Sequence, residues 1–352
     1  MQAAVLTEHE EPLEIQEVPE PEPDPDGAVV DVEACGVCRS DWHAWKGHGE
    51  WAGDAVPEGQ TLGHEPAGTV TAVGENVERI EVGDRVVVPF SLGDGTCHQC
   101  RTGHSNVCPN GLALGFEPDA QGAFAEQVAV PEADYNLVEL PEFLSPRDAA
   151  ALGCRYMTAY NALVNRGQVT GGDWVAVHGC GGVGLSAVQI ADALGARVIA
   201  VDVDEDALER ATDLGAQLTV NPEEERVVKA IKIATDGGVD VSIDALGIAE
   251  TCRNSVRCLA IRGDHVQVGL TTDEERGEVS LPTDRIAHME LSVHGSRGMP
   301  QTDYENLFEL IEATELDPGA LVTRELSLSD VSDRLAAMDD YSTAGVEVVT
   351  DF

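Results

Sequence analysis

Trp174-Val175-Ala176-Val177 leads into Gly179-Cys180-Gly181-Gly182-Val183-Gly184, and that turn opens onto an apolar stretch of helical period from Leu185 to Leu194. A short continuous apolar run ending in turn residues is the pattern of a strand buried on both faces of a parallel sheet. Glycine after such a strand serves three ends: a tight turn, close approach of the backbone to a pyrophosphate, and packing of helix on strand. The helix N-terminus then offers unpaired N–H groups to the phosphates. An isolated glycine-rich turn need bind nothing, but here a second strand ends in Val201-Asp202, and Asp202 lies 18 residues beyond Gly184. That is close to the separation at which an acidic side chain reaches the adenosine ribose hydroxyls. Gly179, Gly181, Gly182, Val183, Gly184 and Asp202 are therefore expected to bind a dinucleotide, although Asp202 also reads as a plain helix-entry residue. A carboxylate there repels a 2′-phosphate and favours NAD. NADP stays possible, because Asp204, Glu205 and Asp206 crowd the same turn and high salt weakens such discrimination.

Downstream, strands expected at 197–201, 217–220, 239–243 and 265–268 alternate with helices beginning near Gly184, Asp204, Pro222 and Ala249, the rhythm of a doubly wound sheet. Just upstream, 148–165 reads as one helix. From residue 1 to about 150, short alternating runs at 29–32, 68–73 and 84–89 with frequent Gly and Pro predict an antiparallel, barrel-like domain, and the acidic Pro-rich stretch 17–26 reads as a loop. Beyond 292 the pattern is mixed, with an amphipathic helix over 304–315 and a closing strand over 346–349. The expected class is α/β: a barrel-like domain over 1–155 completed by 292–352, and a dinucleotide-binding domain over 156–291.

The 352 residues carry 64 Asp and Glu against 21 Lys and Arg, a formal net charge of −43, which excludes nucleic acid as a natural partner. The acids are spread between apolar runs, and Lys46, Lys229 and Lys232 are the only lysines, so the charge belongs to a folded surface and not to a disordered tail. Such a surface repels itself at low ionic strength. Near 1 M salt the screening length falls to about 3 Å, and a salt-rich cell interior is the expected setting. No basic segment followed by a long apolar one opens the chain, and no window is apolar enough to span a bilayer. Nine cysteines, an odd number, argue for thiols and metal ligands over a disulfide framework. A cytoplasmic protein with no membrane partner is expected.

Cys97-x2-Cys100-x7-Cys108 places three thiols at structural-zinc spacing in the loop 93–110. Asp94, three residues before Cys97, continues the spacing as a fourth ligand, and a carboxylate is acceptable to zinc. His98 is a rival with poorer geometry because it directly follows a ligating cysteine, and a metal-free loop is the alternative to both.

A second set is scattered: Cys38-Arg39-Ser40-Asp41-Trp42-His43, then Gly63-His64-Glu65, then Gly153-Cys154 and Thr158. Taken singly, Cys38 or Cys154 reads as a buried thiol and His64 as a core histidine. Together with the cysteine-rich loop and the Gly-x-Gly-Gly-x-Gly turn, they resemble the zinc-containing alcohol dehydrogenases of the medium-chain dehydrogenase/reductase family over the whole chain.

The resemblance implies a GroES-like catalytic domain, a Rossmann NAD-binding domain and two zinc ions per subunit. It implies that Cys38, His64 and Cys154 bind a catalytic zinc with the fourth place left to water or substrate, that Glu65 is a transient ligand and that Asp41 orients His64. Ser40 would take the alcohol proton and pass it through the nicotinamide ribose to His43. Thr158 would contact the nicotinamide, Arg39 and Val268 would join the cofactor site, and Asp94, Cys97, Cys100 and Cys108 would hold a structural zinc. Trp45 and Phe90 fall where the family lines its substrate pocket, or are ordinary core aromatics. A homo-oligomer is implied, a tetramer before a dimer. Two departures stand out: Asp94 replaces the family's usual first structural cysteine, and Gly345-Val346 stands where related microbial enzymes show Gly-Arg, so a common phosphate-contacting arginine is missing.

The implied activity is reversible hydride transfer between a small-molecule primary or secondary alcohol, or its carbonyl counterpart, and a nicotinamide cofactor. The rival within the class is a polyol, sugar or threonine dehydrogenase, against which Trp42, Trp45, Trp51 and Phe90 make the early region apolar. The rival outside it is a non-catalytic zinc- or nucleotide-binding relative, against which Ser40 and His43 are both in place.

Overall fold

Trp174–His178 lies third in a six-stranded sheet ordered Leu218–Val220, Arg197–Val201, Trp174–His178, Val239–Asp244, Leu259–Gln267, Ser292–Gly295, every pair parallel. The computed structural model describes residues 1–48, 55–272, 274–314, 316–340 and 345–352, so Trp51 and Glu315 lie outside the described residues. Val175, Ala176 and Val177 are fully buried between neighbouring strands and covering helices, each valine contributing about 1.5–3 kcal/mol of apolar burial. The chain fills the sheet outward from Trp174–His178 to one edge, then crosses to Val239–Asp244 on the other side. Gly179, Asp202 and Val268 each follow the carboxyl end of a strand in this sheet, the side on which such sheets bind ligands.

At the glycine-rich turn, a Cβ on Gly184 would lie 1.8 Å from the Gly179 carbonyl oxygen, and Gly179 itself has φ +90. Only glycine lets the helix Gly182–Ala193 start this close to its strand.

Three expectations about element bounds are corrected. The third helix of this region starts at Val227, not near Pro222, because the Asn221 side chain accepts the Glu223 N–H and ties 222–225 into a turn. The strand expected to begin at His265 begins at Leu259, its apolar start at Leu259-Ala260-Ile261 separated from His265 by Arg262, Gly263 and Asp264, with the ladder irregular between Val239 and Val241. The single helix expected over 148–165 is Pro146–Ala151, capped by Ser145, followed by wider turns at Leu152–Tyr156 and Asn161–Arg166 around Met157–Tyr160. Gly153, at φ −52 and ψ −131, breaks it.

Two compact units result: Met1–Met157 with Gly298–Ile311 and Asp317–Phe352, and Thr158–Arg297 with Glu312–Leu316. In the first, Ala28–Val37 pairs antiparallel with Pro66–Val73 and Gln127–Val130. The chain's last strand, Val346–Asp351, joins the same sheet with Val348 opposite Gly36 and Val349 opposite Cys35. Its core includes Val30, Leu62, Val86, Phe124 and Leu335. Among the described residues, the buried carboxylates are Asp41, Glu65, Asp244 and Glu347, and no helix is long and apolar enough to cross a membrane. All nine cysteines are unpaired.

Candidate metal and cofactor sites

Cys38 ends the strand Ala28–Val37 and begins the helix Arg39–Trp45, so its sulfur sits where a rigid strand meets a helix start. The third helical residue, Asp41, turns back: its Oδ2 accepts the Cys38 N–H at 2.9 Å, the cap bond such a helix start needs. Its Oδ1 accepts the Gly63 N–H at 3.1 Å and lies 2.8 Å from His64 Nδ1. One fully buried carboxylate thus links two segments distant in sequence and fixes the imidazole. Cys154 arrives from the third direction, presented by the break at Gly153. Cys38, His64, Glu65 and Cys154 each offer a ligand atom, all within 4.8 Å of one another.

His64 Nε2 is buried and without a hydrogen-bond partner, as is Glu65 Oε1. An unpaired ring nitrogen beside two sulfurs costs about 1–3 kcal/mol unless something binds it, and a soft divalent cation matches that donor set. These residues therefore fit zinc. The neighbouring Cys154 thiol, with His64 and Arg155, holds the Cys38 sulfur well below the ordinary thiol range against burial, while the nearby Cys38 sulfur and burial push Cys154 well above it, so one of the two sulfurs is favoured as the thiolate that a metal requires. Burial raises the Glu65 carboxyl to about 7 against the opposing pull of Arg155. Phe90 stands edge-on to the His64 ring at 5.8 Å, and Phe116 lies at 4.8 Å. Trp45 belongs to the hydrophobic core, its indole N–H donating to the Glu11 carbonyl at 2.6 Å.

Ser40 Oγ lies 3.8 Å from Cys38 Sγ. His43, one turn further along the helix, is half-buried with its Nδ1 3.0 Å from Nδ1 of His48. Arg39 stacks over Trp42 at 4.1 Å and donates to the Met338 carbonyl.

Asp94, Cys97, Cys100 and Cys108 form a second group with ligand atoms within 4.8 Å of one another. Cys97 caps the short helix His98–Arg101 and its sulfur accepts the Cys100 N–H at 3.4 Å. Asp94 is held by the Asn110 amide at 2.6 Å and by the Thr96 and Cys97 N–H groups, and these bonds keep its carboxyl well below the usual range. His98 is not in this group.

In the second unit, Asp202 Oδ2 accepts the Cys180 N–H at 2.6 Å and Oδ1 accepts the Asp204 N–H at 3.0 Å, so the carboxylate braces the glycine-rich turn. Nothing lies within 4 Å of a Cβ built on Gly181, which leaves that backbone open to a phosphate. Thr158 is buried and Val268 half-buried, the latter donating its N–H to the Asp244 carbonyl at 3.0 Å.

Sequence reasoning missed Arg155, Asn110 and Phe116. Arg155 had a visible signal, a lone cation in the apolar run 149–163; the other two become meaningful only when the loops that carry them meet.

Comparison with known proteins agrees with this geometry. Residues 24–142 match the model of the alcohol dehydrogenase GroES-like domain, and residues 182–313 that of the zinc-binding dehydrogenases. The chain is 34% identical over 338 residues to an alcohol dehydrogenase of Geobacillus stearothermophilus, covering 95% of each. It is 33% identical over 357 aligned positions to an NAD-dependent alcohol dehydrogenase of Sulfurisphaera tokodaii, covering 99% of each. The solved alcohol dehydrogenase TADH from Thermus sp. ATN1 superposes with a TM-score of 0.92 at 32% identity, covering 100% of both chains. The protein is a two-domain α/β dehydrogenase with a GroES-like unit and a Rossmann unit. It belongs to the zinc-type alcohol dehydrogenases of the medium-chain family.

Proposed function

We propose that the protein reversibly oxidises a primary or secondary alcohol with NAD, NADP serving less well, and that Cys38, His64 and Cys154 hold zinc for that reaction while Asp94, Cys97, Cys100 and Cys108 hold a second zinc for structure. The observation that carries this reading is His64, whose Nδ1 is fixed by Asp41 while its buried Nε2 has no protein partner beside two sulfurs. Zinc bound there supplies Lewis acidity that brings an alcohol's pKa towards neutrality, and NAD supplies the hydride acceptor.

The rest is the work of the chain. Asp41 holds the tautomer that leaves the Nε2 lone pair free for a metal. Ser40, next to Cys38, takes the alcohol's proton, and His43, a turn along the same helix, releases it to solvent. Phe90 and Phe116 beside His64 favour an alkyl group over a polyhydroxylated one. The turn 179–184 binds the pyrophosphate and Asp202 the adenosine ribose, with Thr158, Arg39 and Val268 as further cofactor contacts. A salt-rich cytoplasm and a homotetramer complete the reading.

Formation of NADH, followed by absorbance in molar KCl with simple alcohols, polyols, sugars and threonine, and with NAD or NADP, tests substrate and cofactor together. Simple alcohols with NAD are expected to give the highest kcat/KM. A sugar or polyol preferred tenfold would overturn the substrate reading.

A further inference from the structure

Arg155 directly follows Cys154, and its side chain is buried at 7% exposure against the fully buried Glu65. Its Nη2 donates to Glu65 Oε2 at 2.5 Å, while Glu65 Oε1 has no hydrogen-bond partner and Arg155 Nε has none either. Space has been cleared for this pair. A Cβ on Gly36 would fall 2.0 Å from Glu65 Oε2 and 3.0 Å from Arg155 Nη2, and one on Gly153 would fall 2.5 Å from Glu65 Cβ. A Glu65 oxygen also lies within 4.8 Å of the Cys38, His64 and Cys154 ligand atoms.

We propose that Arg155 is a positioning residue, which tethers Glu65 through Oε2 and so keeps the carboxylate beside the metal-ligand set without letting it close the fourth coordination place. The inference rests on the zinc site proposed above. Two thiolates would balance the charge of a zinc ion and Arg155 balances Glu65, which leaves the buried Asp41 carboxylate beside His64 as the one charge without a counter-charge in the cluster. Without the guanidinium, Glu65 is a buried carboxylate with no counter-charge, a state relieved either by taking up a proton or by moving to the nearest remaining cation, and in the proposed scheme it moves. That cation is the metal, and the substrate then loses its place. A residue that only supported the fold would behave differently, its loss loosening the metal.

Exchange of zinc for cobalt(II) gives visible bands that report the ligand set, and those absent from Cys154→Ser belong to this site. In Arg155→Met these bands are expected to shift, kcat/KM to fall at least tenfold, and metal to leave no faster to a chelator. The double variant Arg155→Met/Glu65→Gln is expected to return the bands towards their wild-type position. Should Arg155→Met fail to fold, Arg155→Lys, which keeps a cation but not the planar reach of the guanidinium, is expected to show a smaller shift in the same direction. Unchanged bands in the variant that folds, or faster metal loss from it, overturn the proposal. If wild-type protein takes up no cobalt with Cys154-dependent bands, the zinc-site reading falls, and this inference with it.

Discussion

The Asp41 carboxylate and the His64 imidazole meet at 2.8 Å with neither side chain exposed to solvent, and the same carboxylate caps the helix that begins at Cys38. Orientation of the imidazole and placement of Cys38 therefore depend on one residue. Asp41→Asn keeps a cap acceptor but loses the charge facing the ring. It is expected to lower metal affinity at this site by about 10–100-fold, the usual loss when the hydrogen-bond partner of a ligating imidazole is changed. Competition with a chromophoric chelator measures it, and affinity within a factor of two of wild type would show that Asp41 serves the helix alone.

Asp94→Ala is expected to remove one zinc per subunit and lower Tm by roughly 5 °C or more, at about 2–4 °C per kcal/mol for a domain of this size. Asn110→Ala, which deletes the 2.6 Å bond to Asp94, is expected to produce a smaller loss in the same direction. In both, KM for the alcohol should stay near wild type. Full metal content and unchanged Tm in Asp94→Ala would remove Asp94 from the ligand set.

Asp202→Asn retains an acceptor for the Cys180 N–H while discarding the charge opposed to a 2′-phosphate. The NADP to NAD ratio of kcat/KM is expected to rise by about tenfold, on the order of 1.4 kcal/mol. An unchanged ratio with wild-type stability would show that Asp202 braces the turn and does not select the cofactor.

The glycine-rich turn was legible because covalent geometry forces it: no other residue fits where Gly184 meets the Gly179 carbonyl. The ligand spacing in the cysteine loop was legible for a similar reason, since Cys97 and Cys100 belong to one short helical turn. Cys38, His64 and Cys154 were legible only through their joint resemblance to a family, because no local rule connects residues brought together by strand pairing and a broken helix. The Arg155–Glu65 pair spans 90 residues and follows from no periodicity. Element starts failed where a side-chain bond or charged residues inside a strand interrupted the hydrophobic pattern, as at Asn221 and Arg262.

Dilution from molar KCl to about 0.1 M is expected to inactivate the enzyme, because the screening length grows from about 3 Å to about 10 Å. The exposed acids Glu20, Glu22, Asp24 and Asp26 on one loop illustrate the burden, and ion pairs on Lys46, Arg147, Arg262, Arg324 and Arg334 engage few of the 64 carboxylates. Replacing several exposed Asp and Glu residues with Asn and Gln should lower the salt requirement without changing size or ligands. Residual activity followed over days at each salt concentration decides it. A parent protein stable at 0.1 M would refute the salt argument and leave the dehydrogenase reading intact.

Cys38, His64 and Cys154 are proposed together to hold the zinc on which alcohol oxidation depends. The most direct measurement is metal content per subunit alongside NADH formation from a simple alcohol, in molar KCl, for wild type and for His64→Ala. Two zinc ions and NADH formation are expected in the wild type, and one zinc ion with no detectable NADH in a folded variant. Two zinc ions and wild-type turnover in His64→Ala would contradict it.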